Sequence, residues 1–369
     1  MKNLNKYIVF LGLILSSCNS LEEEPQALIV SESFYKTDKD ADAAVIAIYN
    51  SLNSSGQTLY NRLLQISTEM ATDDYEAGPR ARNAFVRAIS NLTHDPSNDR
   101  MIELWRQSYD GINRANIAIE RISTNAALTP QNAQNLVNEA KFLRALHYFN
   151  LVRWFGDVPL VLKETTSLTP ENINVGNTAE TQVYAQIEQD LKDAENLPAP
   201  NVEGRIGRAT SGAAKSLLSK VYLTQKKWKE AAEKSKEVID SKYYDLFENY
   251  ADVFNVATKN GKEHIFSAQF KGLSNWIGNS LGSTAAPNTV PGIGGDLADA
   301  LRKEGKLFES FAETDKRKYV TFATQFVSPT DGKTYKVTLF LISISTQRWP
   351  QHQGNLQKIR QSFDLPKCF

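Results

Sequence analysis

Residues 210–240 read TSGAAKSLLSKVYLTQKKWKEAAEKSKEVID and contain two helical patterns with a short polar turn between them. In each half, small and apolar residues recur every three or four positions, which is typical of one face of an α-helix. Thr210 or Ser211 can cap the first helix, because both side chains accept hydrogen bonds from free backbone N–H groups. We therefore predict an antiparallel helical hairpin with alanines at the crossing, in which Tyr222 and Trp228 fill the gaps between neighbouring pairs.

The chain before this hairpin carries further helical patterns. They begin near Asp38, Asn98, Thr129-Pro130 and Thr178. Asp38 and Thr129 are common N-cap residues, and a proline suits the first position of a helix. Paired helices joined by short turns, with small residues at their crossings, are typical of tetratricopeptide repeats. The sequence therefore predicts a mainly α fold built on a tetratricopeptide-like scaffold of helical hairpins.

Two parts of the chain depart from the helical pattern. Residues 67–97 lack a clean period and predict a long loop with a partial helix, a type of segment that often carries function. Further on, residues 264–270 alternate like a β-strand, and residues 272–296 have the Gly, Ser, Asn and Pro content of a loop. Asp331-Gly332 predicts a hairpin turn. We expect these later segments to form loops and short strands that follow the helices.

The N-terminus has the composition of an export signal. Two lysines precede the apolar run YIVFLGLIL (7–15), and Leu-Ser-Ser leads into Cys18. The run is shorter than the roughly 20 apolar residues that span a bilayer, and this order is typical of a lipoprotein signal peptide. We predict that residues 1–17 are removed, that Cys18 is lipidated, and that residues 18–30 tether the protein to the membrane. An ordinary signal peptide with a chance cysteine is the alternative.

Composition limits the classes of partner. The 369-residue chain has 42 basic and 42 acidic residues, with 41% hydrophobic and 23% charged residues, as in an ordinary globular protein. A formal charge of zero gives no reason to expect nucleic acid as a partner. The only other cysteine is Cys368, so lipidation of Cys18 would leave no pair for an internal disulfide.

The sequence contains no recognisable catalytic or metal-binding pattern. Its histidines are His94, His147, His264 and His352, and no two have the helical spacing of a metal-ligand pair. His147 lies on the apolar stripe of a helix, where a packed, hydrogen-bonded histidine is a better interpretation than a general base. Acidic residues cluster in the first long loop, where a solvated surface is favoured over a cation site or a glycosidase pair. We predict no catalytic residue, metal or cofactor.

Aromatic residues in loops are the candidates for ligand binding. A sugar ring stacks its C–H face on tryptophan or tyrosine, while its hydroxyl groups need polar side chains at the rim. Trp276 lies beside Asn275 in a Gly/Asn/Ser loop, and Tyr75 lies close to Asp73 in the first long loop. Because loops on a rigid scaffold often carry binding residues, we predict these four residues to bind the ligand. The aromatic residues on helices are assigned to the core: Trp105, Tyr109, Tyr148, Trp154, Tyr222 and Trp228.

Several segments of the chain resemble the SusD/RagB family of outer-membrane lipoproteins from Bacteroidetes-type bacteria. They are residues 31–52, 104–122, 138–161 and 210–240. The most specific piece is Trp-Phe-Gly-Asp-Val-Pro-Leu at 154–160, which follows a Glu-Ala-x-x-Leu-Arg-Ala helix. The resemblance implies a location on the cell outer membrane and a SusC-like TonB-dependent transporter as partner, over which the lipoprotein acts as a hinged lid. It implies a glycan ligand, or a peptide in some members.

The resemblance also implies a loop-rich, mixed α/β capping part on the helical scaffold, and a division of the chain. Residues 31–250 correspond to the SusD-like N-terminal helical domain, and residues 251–337 to the loop-rich part of the family domain, which is incomplete. Residues 338–369 show neither the family pattern nor a steady helical period. We expect this tail to be the out-of-frame product of a frameshift or the end of a truncated gene.

Together these inferences predict a non-catalytic surface lipoprotein that binds oligosaccharides and delivers them to a SusC-like TonB-dependent transporter. Three alternatives remain open. They are a peptide-binding member of the same family, a lipoprotein glycosidase, and a structural helical-repeat adaptor without a small-molecule ligand.

Overall fold

The computed structural model describes residues 35–53, 58–165, 169–170, 174–200, 205–270, 284–293, 299–302 and 305–341. Several predicted features lie outside the described residues. They are the signal peptide, the tether with Cys18, Asn275, Trp276 and the tail from residue 342 onward.

Helices dominate the described chain, and short strands join them mainly in its later part. In chain order the elements are α1 (Asp38–Asn53), a π-helical turn (Leu59–Leu63), α2 (Leu64–Glu69), β1 (Tyr75–Ala77), α3 (Ala84–Ser90), α4 (Asp99–Ser123), α5 (Pro130–Phe155), α6 (Glu180–Ala194), α7 (Ser211–Thr224), α8 (Trp228–Asp240), two 3₁₀ turns (Tyr250–Phe254 and Val256–Thr258), β2 (Asp299–Leu301), α9 (Leu307–Ser310), α10 (Lys318–Thr321), β3 (Phe322–Val327) and β4 (Thr334–Leu341). Among the described residues, no helix combines the length and apolar character that crossing a membrane requires.

The central element of the scaffold is α5. It packs against α4, α6 and α1, and the main hydrophobic core runs through α1 and α4 to α8. Every residue of α5 from 136 to 152 is buried except Lys141. The predicted mainly α fold of paired helices is therefore confirmed, and α5 is enclosed on all sides instead of burying a single stripe.

The hairpin predicted at residues 210–240 is present as α7 and α8. Thr210 caps α7, because its hydroxyl accepts a hydrogen bond from the N–H of Ala213 at 3.1 Å. Tyr222 is buried as predicted, but Trp228 is 62% exposed, so its assignment to the core is wrong. Trp228 is the first residue of α8, and helical side chains lean toward the N-terminus, which carries this ring past the end of the hairpin.

The start of α1 differs from the prediction that Asp38 caps it. Thr37 and Asp40 form a reciprocal capping box, in which the Asp40 N–H donates to the Thr37 hydroxyl at 3.2 Å and the Thr37 N–H donates to the Asp40 carboxylate at 2.9 Å. Asp38 instead accepts hydrogen bonds from the N–H (3.0 Å) and hydroxyl (2.6 Å) of Thr129. This contact joins the start of α1 to the start of α5.

The predicted strand at residues 264–270 is absent, whereas the predicted hairpin is present. Residues 264–270 have no ladder partner among the described residues, and Ile265, Phe266 and Ala268 pack against the helical core. β3 and β4 pair antiparallel with Val327 opposite Thr334. β4 continues to Leu341, past the boundary that we predicted between residues 337 and 338.

Gly111 allows α4 and α5 to cross closely. A Cβ atom at this position would lie 2.1 Å from Nε2 of His147, which is fully buried on α5. We expect Gly111→Ala to lower the free energy of unfolding by about 1–3 kcal/mol, even though alanine normally favours a helix by about 1 kcal/mol. Gly176→Ala is the matched control, because its Cβ would meet nothing within 4 Å. Urea unfolding measures both, and a G111A protein as stable as G176A would contradict this account of the crossing.

Candidate ligand-binding surface

The first long loop is joined to a distant part of the chain. The predicted partial helix is present there as α3, and β1 pairs antiparallel with β2, with Tyr75 opposite Leu301 and Ala77 opposite Asp299. The N–H of Arg302 continues this contact by donating to the carbonyl of Asp74 at 2.9 Å. The sequence of this loop shows no helical or strand periodicity. The loop is held instead by contacts with residues more than 200 positions away in the chain.

Arg302 fixes the conformation of this loop. Its Nε donates to the carbonyl oxygens of Thr72 (3.0 Å) and Tyr75 (3.1 Å), and its Nη2 donates to the carbonyl of Ser90 at 2.7 Å. Its Nη1 lies 3.6 Å from the Glu76 carboxylate. One guanidinium thus connects β1, the loop before it and the end of α3. Sequence reasoning missed Arg302, because a single arginine gives no signal of distant backbone partners.

The structure brings Asp73 and Tyr75 together but presents them differently. Asp73 is exposed and makes no hydrogen bond or ion pair within the described residues. Tyr75 is only 4% exposed, and its ring packs in a small cluster with Ile66, Met70 and Val86. The Tyr75 side chain therefore offers no free ring face to a sugar in this conformation, because its ring completes the apolar base of the loop. Asn275 and Trp276 lie outside the described residues.

A surface cavity of about 450 Å³ lies beside β1 and is lined by Pro79, Arg80, Ala81, Arg82 and Arg87. All three arginines are exposed. The Nε of Arg87 donates to the carbonyl of Ala81 at 2.7 Å, which holds α3 against the turn that precedes it. Sequence reasoning overlooked this cavity, although Arg80-Ala81-Arg82 stands inside the segment that it assigned to a long loop.

A second cavity, of about 300 Å³, lies between α1 and the segments around residues 207 and 268. Tyr49 and Arg208 line it, and both contact Glu139, which is fully buried on α5. The Tyr49 hydroxyl and Arg208 Nε each donate to Glu139 at 2.8 Å, and Arg205 adds a further ion pair. Burial raises the pKa of Tyr49, and the Glu139 carboxylate raises it further. These groups are engaged with one another, so the arrangement is typical of a structural network.

His147 is a packed core histidine, as predicted. Its Nε2 lies 2.8 Å from Oγ of Ser51, whose hydroxyl donates to the carbonyl of Ile48 at 2.6 Å. Since that hydroxyl has one proton, Nε2–H of His147 must be the donor to Ser51. Burial and the nearby positive charge of Arg114 lower the pKa of His147 to about 4, so the ring is neutral at pH 7. A side chain without access to solvent is unsuited to act as a general base.

Metal binding has no support in the described part of the chain. No three side chains of His, Cys, Asp or Glu converge there in a way that could hold a metal ion. Of the acidic residues of the first loop, Glu76 lies 3.6 Å from Arg302, whereas Asp73 has no such partner among the described residues. The chemistry available at this surface is hydrogen bonding and charge pairing by Asp73 and the arginines.

Comparison with known proteins matches this chain to a single protein family. A family model described as "SusD-like", "Starch-binding associating with outer membrane", matches residues 26–223. The SusD-like protein P25 of Formosa agariphila is 31% identical over 280 residues, which cover 72% of this chain and 52% of that protein. The chain thus spans about half the length of this curated relative.

Solved structures give the same result. A laminarin-binding SusD-like protein is 29% identical, with a TM-score of 0.71 over 84% of this chain and 72% of that one. Surface glycan-binding protein A from Bacteroides thetaiotaomicron, solved in complex with laminarihexaose, is 21% identical, with a TM-score of 0.70 over 84% and 71% of the two chains. At that identity the second likeness concerns the fold alone.

Proposed function

This chain belongs to the SusD-like family, and from that premise we propose that it is a non-catalytic outer-membrane lipoprotein that binds oligosaccharides. It passes them to a SusC-like TonB-dependent transporter, as the family resemblance implies. Cys18 carries the lipid anchor, and Trp276, Asn275 and Asp73 contribute to the glycan site. Tyr75 contributes through its place under the loop, since its ring is buried.

The observation that carries this proposal is the rigid surface formed by the first loop. β1 pairs with β2, Arg302 holds three backbone carbonyls, and Asp73 and the arginines stand exposed on this base. Binding residues on a preorganised loop lose little conformational entropy when a ligand arrives. A laminarin-binding relative with the same fold supports a glycan as the ligand class.

Two buried ionisable side chains, Glu139 and His147, are engaged in structural contacts, which supports a non-catalytic role. Glu139 is engaged with Tyr49 and two arginines, and His147 is a neutral donor to Ser51. Release of the ligand then depends on movement of the lipoprotein relative to the transporter, with no covalent step. Hydrolysis of a polysaccharide panel by the purified protein would favour the glycosidase alternative instead.

Trp276 is predicted to stack on the sugar. We expect Trp276→Ala to weaken oligosaccharide binding by roughly tenfold, or about 1.4 kcal/mol, and to leave the unfolding midpoint unchanged. Trp228→Ala is the matched control, because Trp228 is exposed on the helical scaffold. Calorimetric titration with a panel of neutral and charged oligosaccharides measures both. Equal affinities of the parent and W276A would remove Trp276 from the site.

Partner and anchor have separate tests. Co-purification of the full-length protein with a TonB-dependent channel from outer membranes supports the proposed delivery role, and its absence contradicts that role.

Incorporation of labelled palmitate that disappears in Cys18→Ser supports the anchor. Binding of peptides in place of oligosaccharides would indicate the peptide-binding alternative, and co-purification without any ligand binding would indicate a structural adaptor.

A further inference from the structure

We propose that the cavity lined by Arg80, Arg82 and Arg87 recognises an oxyanion group on the glycan, either the carboxylate of a uronic acid or a sulfate ester. This inference rests on the proposed function, since it assigns a charge class to the ligand of the same surface. Neither the sequence patterns nor the comparisons assign a role to these three arginines.

The arginines of this cavity lack a carboxylate partner among the described residues. In the described part of the chain, Arg80, Arg82 and Arg87 form no ion pair, and the nearby Glu76 is directed to Arg302. Arg106, which is also exposed, is by contrast paired with Glu103 and Asp110. The chain as a whole has a formal charge of zero. The three guanidinium groups therefore form a local positive charge with no ion-paired carboxylate among the described residues.

Hydrogen bonds preorganise the turn that carries the arginines. The N–H of Ala81 donates to the carbonyl of Gly78 at 3.0 Å, and the carbonyl of Ala81 accepts from Arg87 at 2.7 Å. Asn83 then caps α3 by accepting from the N–H groups of Phe85 and Val86 at 2.9 and 3.1 Å. The backbone between the arginines is thus fixed at both ends, which lowers the entropy lost on binding.

The N–H donors of the three arginines match the oxygens of an oxyanion group. A guanidinium group presents a planar fork of N–H donors that fits carboxylate, sulfate and phosphate oxygens in pairs. The cavity volume of about 450 Å³ is within the range of pockets for small ligands. The cavity also adjoins β1, so a glycan lying on the loop surface can place a charged substituent in it.

The size of the cavity and the charge of the chain favour a charged saccharide over nucleic acid as the ligand. Tight binding of a nucleic acid usually rests on about 6–10 phosphate contacts along a basic stripe. Three arginines around one cavity, on a chain with equal numbers of acidic and basic residues, provide a single anion subsite.

The test compares three oligosaccharides of equal length with the full-length protein: an oligogalacturonate, a sulfated galactan oligosaccharide and a neutral galactan oligosaccharide. We expect at least one anionic oligosaccharide to bind roughly tenfold more tightly than the neutral one, and the difference to shrink at high salt. The anionic probe that binds more tightly identifies the group as carboxylate or sulfate.

Substitutions of the arginines test whether this cavity is responsible for the preference for an anionic oligosaccharide. R80Q/R82Q should reduce the affinity for the preferred anionic oligosaccharide about tenfold and leave the neutral one unchanged. K229Q/K236Q removes the same charge from exposed positions on α8 and should change neither affinity. R80K/R82K keeps the charge but loses the planar fork, and should fall between the parent and R80Q/R82Q. Because the substituted side chains are exposed, unchanged thermal unfolding is expected in all three.

The outcomes separate this inference from the proposed function. If the neutral oligosaccharide binds as well as both anionic ones, or if R80Q/R82Q binds like the parent, the inference is wrong and the proposed function stands. If inorganic polyphosphate competes as well as the anionic oligosaccharide at equal charge, the cavity is a general anion site and the inference is also wrong. If no oligosaccharide of the wider panel binds, the proposed function itself fails.

Discussion

Asp190→Ala is expected to lower the free energy of unfolding by about 3–5 kcal/mol. Asp190 on α6 and Arg144 on α5 are both buried, and they form two parallel hydrogen bonds of 2.8 Å from Nε and Nη2 of the arginine. Arg144 also donates from Nη1 to Asn116 on α4 at 2.8 Å. Removing the carboxylate would leave a buried guanidinium charge without its counter-ion at the centre of the helical scaffold.

Asp193→Ala is a closely matched control. Asp193 also lies on α6, pairs with a residue of α5 (Lys141, 2.6 Å), and accepts a hydrogen bond from the glutamine four residues earlier, as Asp190 does. Its ion pair is partly exposed, with side-chain exposures of 23% and 30%. We therefore expect a loss of at most about 1 kcal/mol.

A double variant distinguishes the charge effect from packing. Arg144→Met with Asp190→Leu removes both charges and should recover more than half of the stability lost in D190A, because no buried charge remains uncompensated. Denaturant unfolding of the four proteins measures these values. A D190A variant no less stable than D193A would show that the ion pair does not hold α5 against α6.

The second large effect is a loss of stability in mild acid. The folded-state pKa of His147 is about 4, whereas an exposed histidine titrates near 6.5. Between these values the unfolded chain binds a proton that the folded chain does not, so stability falls as the pH falls through this interval. We expect His147 alone to contribute a loss of about 3 kcal/mol between pH 6.5 and pH 4.

The contribution of His147 is measured as a difference between proteins. Unfolding free energies at a series of pH values should fall less steeply for His147→Gln than for the parent, whatever the absolute stability of the variant. His94→Gln removes an exposed histidine from a turn and should retain the slope of the parent. A slope in H147Q equal to that of the parent would mean that His147 is not held neutral by its surroundings. Protonation of His147 would weaken the packing at the α4–α5 crossing, where the His147 ring lies close to Gly111.

The candidate site was only partly predictable. The sequence placed Asp73 and Tyr75 in a long loop, whereas in the structure Tyr75 begins β1 and Asp73 lies two residues before it. It could not show that the Tyr75 ring turns inward, because the residues that cover it, such as Met70 and Val86, are recognised only once the loop is folded. The roles of Arg302 and of the arginine-lined cavity depend on contacts with distant backbone or on the shape of one turn, and neither leaves a periodic pattern.

The sequence by itself determined the helical hairpins and the β3–β4 hairpin. These elements depend on local chemistry: three- and four-residue periodicity, N-caps such as Thr210, and the Asp331-Gly332 turn. Only the tertiary structure decided which helix is enclosed by its neighbours. Because α5 is enclosed, it buries Glu139, Arg144 and His147, and each of them has an ion-pair or hydrogen-bond partner. The tertiary structure also decided that Trp228 faces solvent and that residues 264–270 pack on helices, with no strand partner among the described residues. The physical reason is that burial and charge pairing depend on residues far apart in the chain, whereas helix and turn formation depend on neighbours.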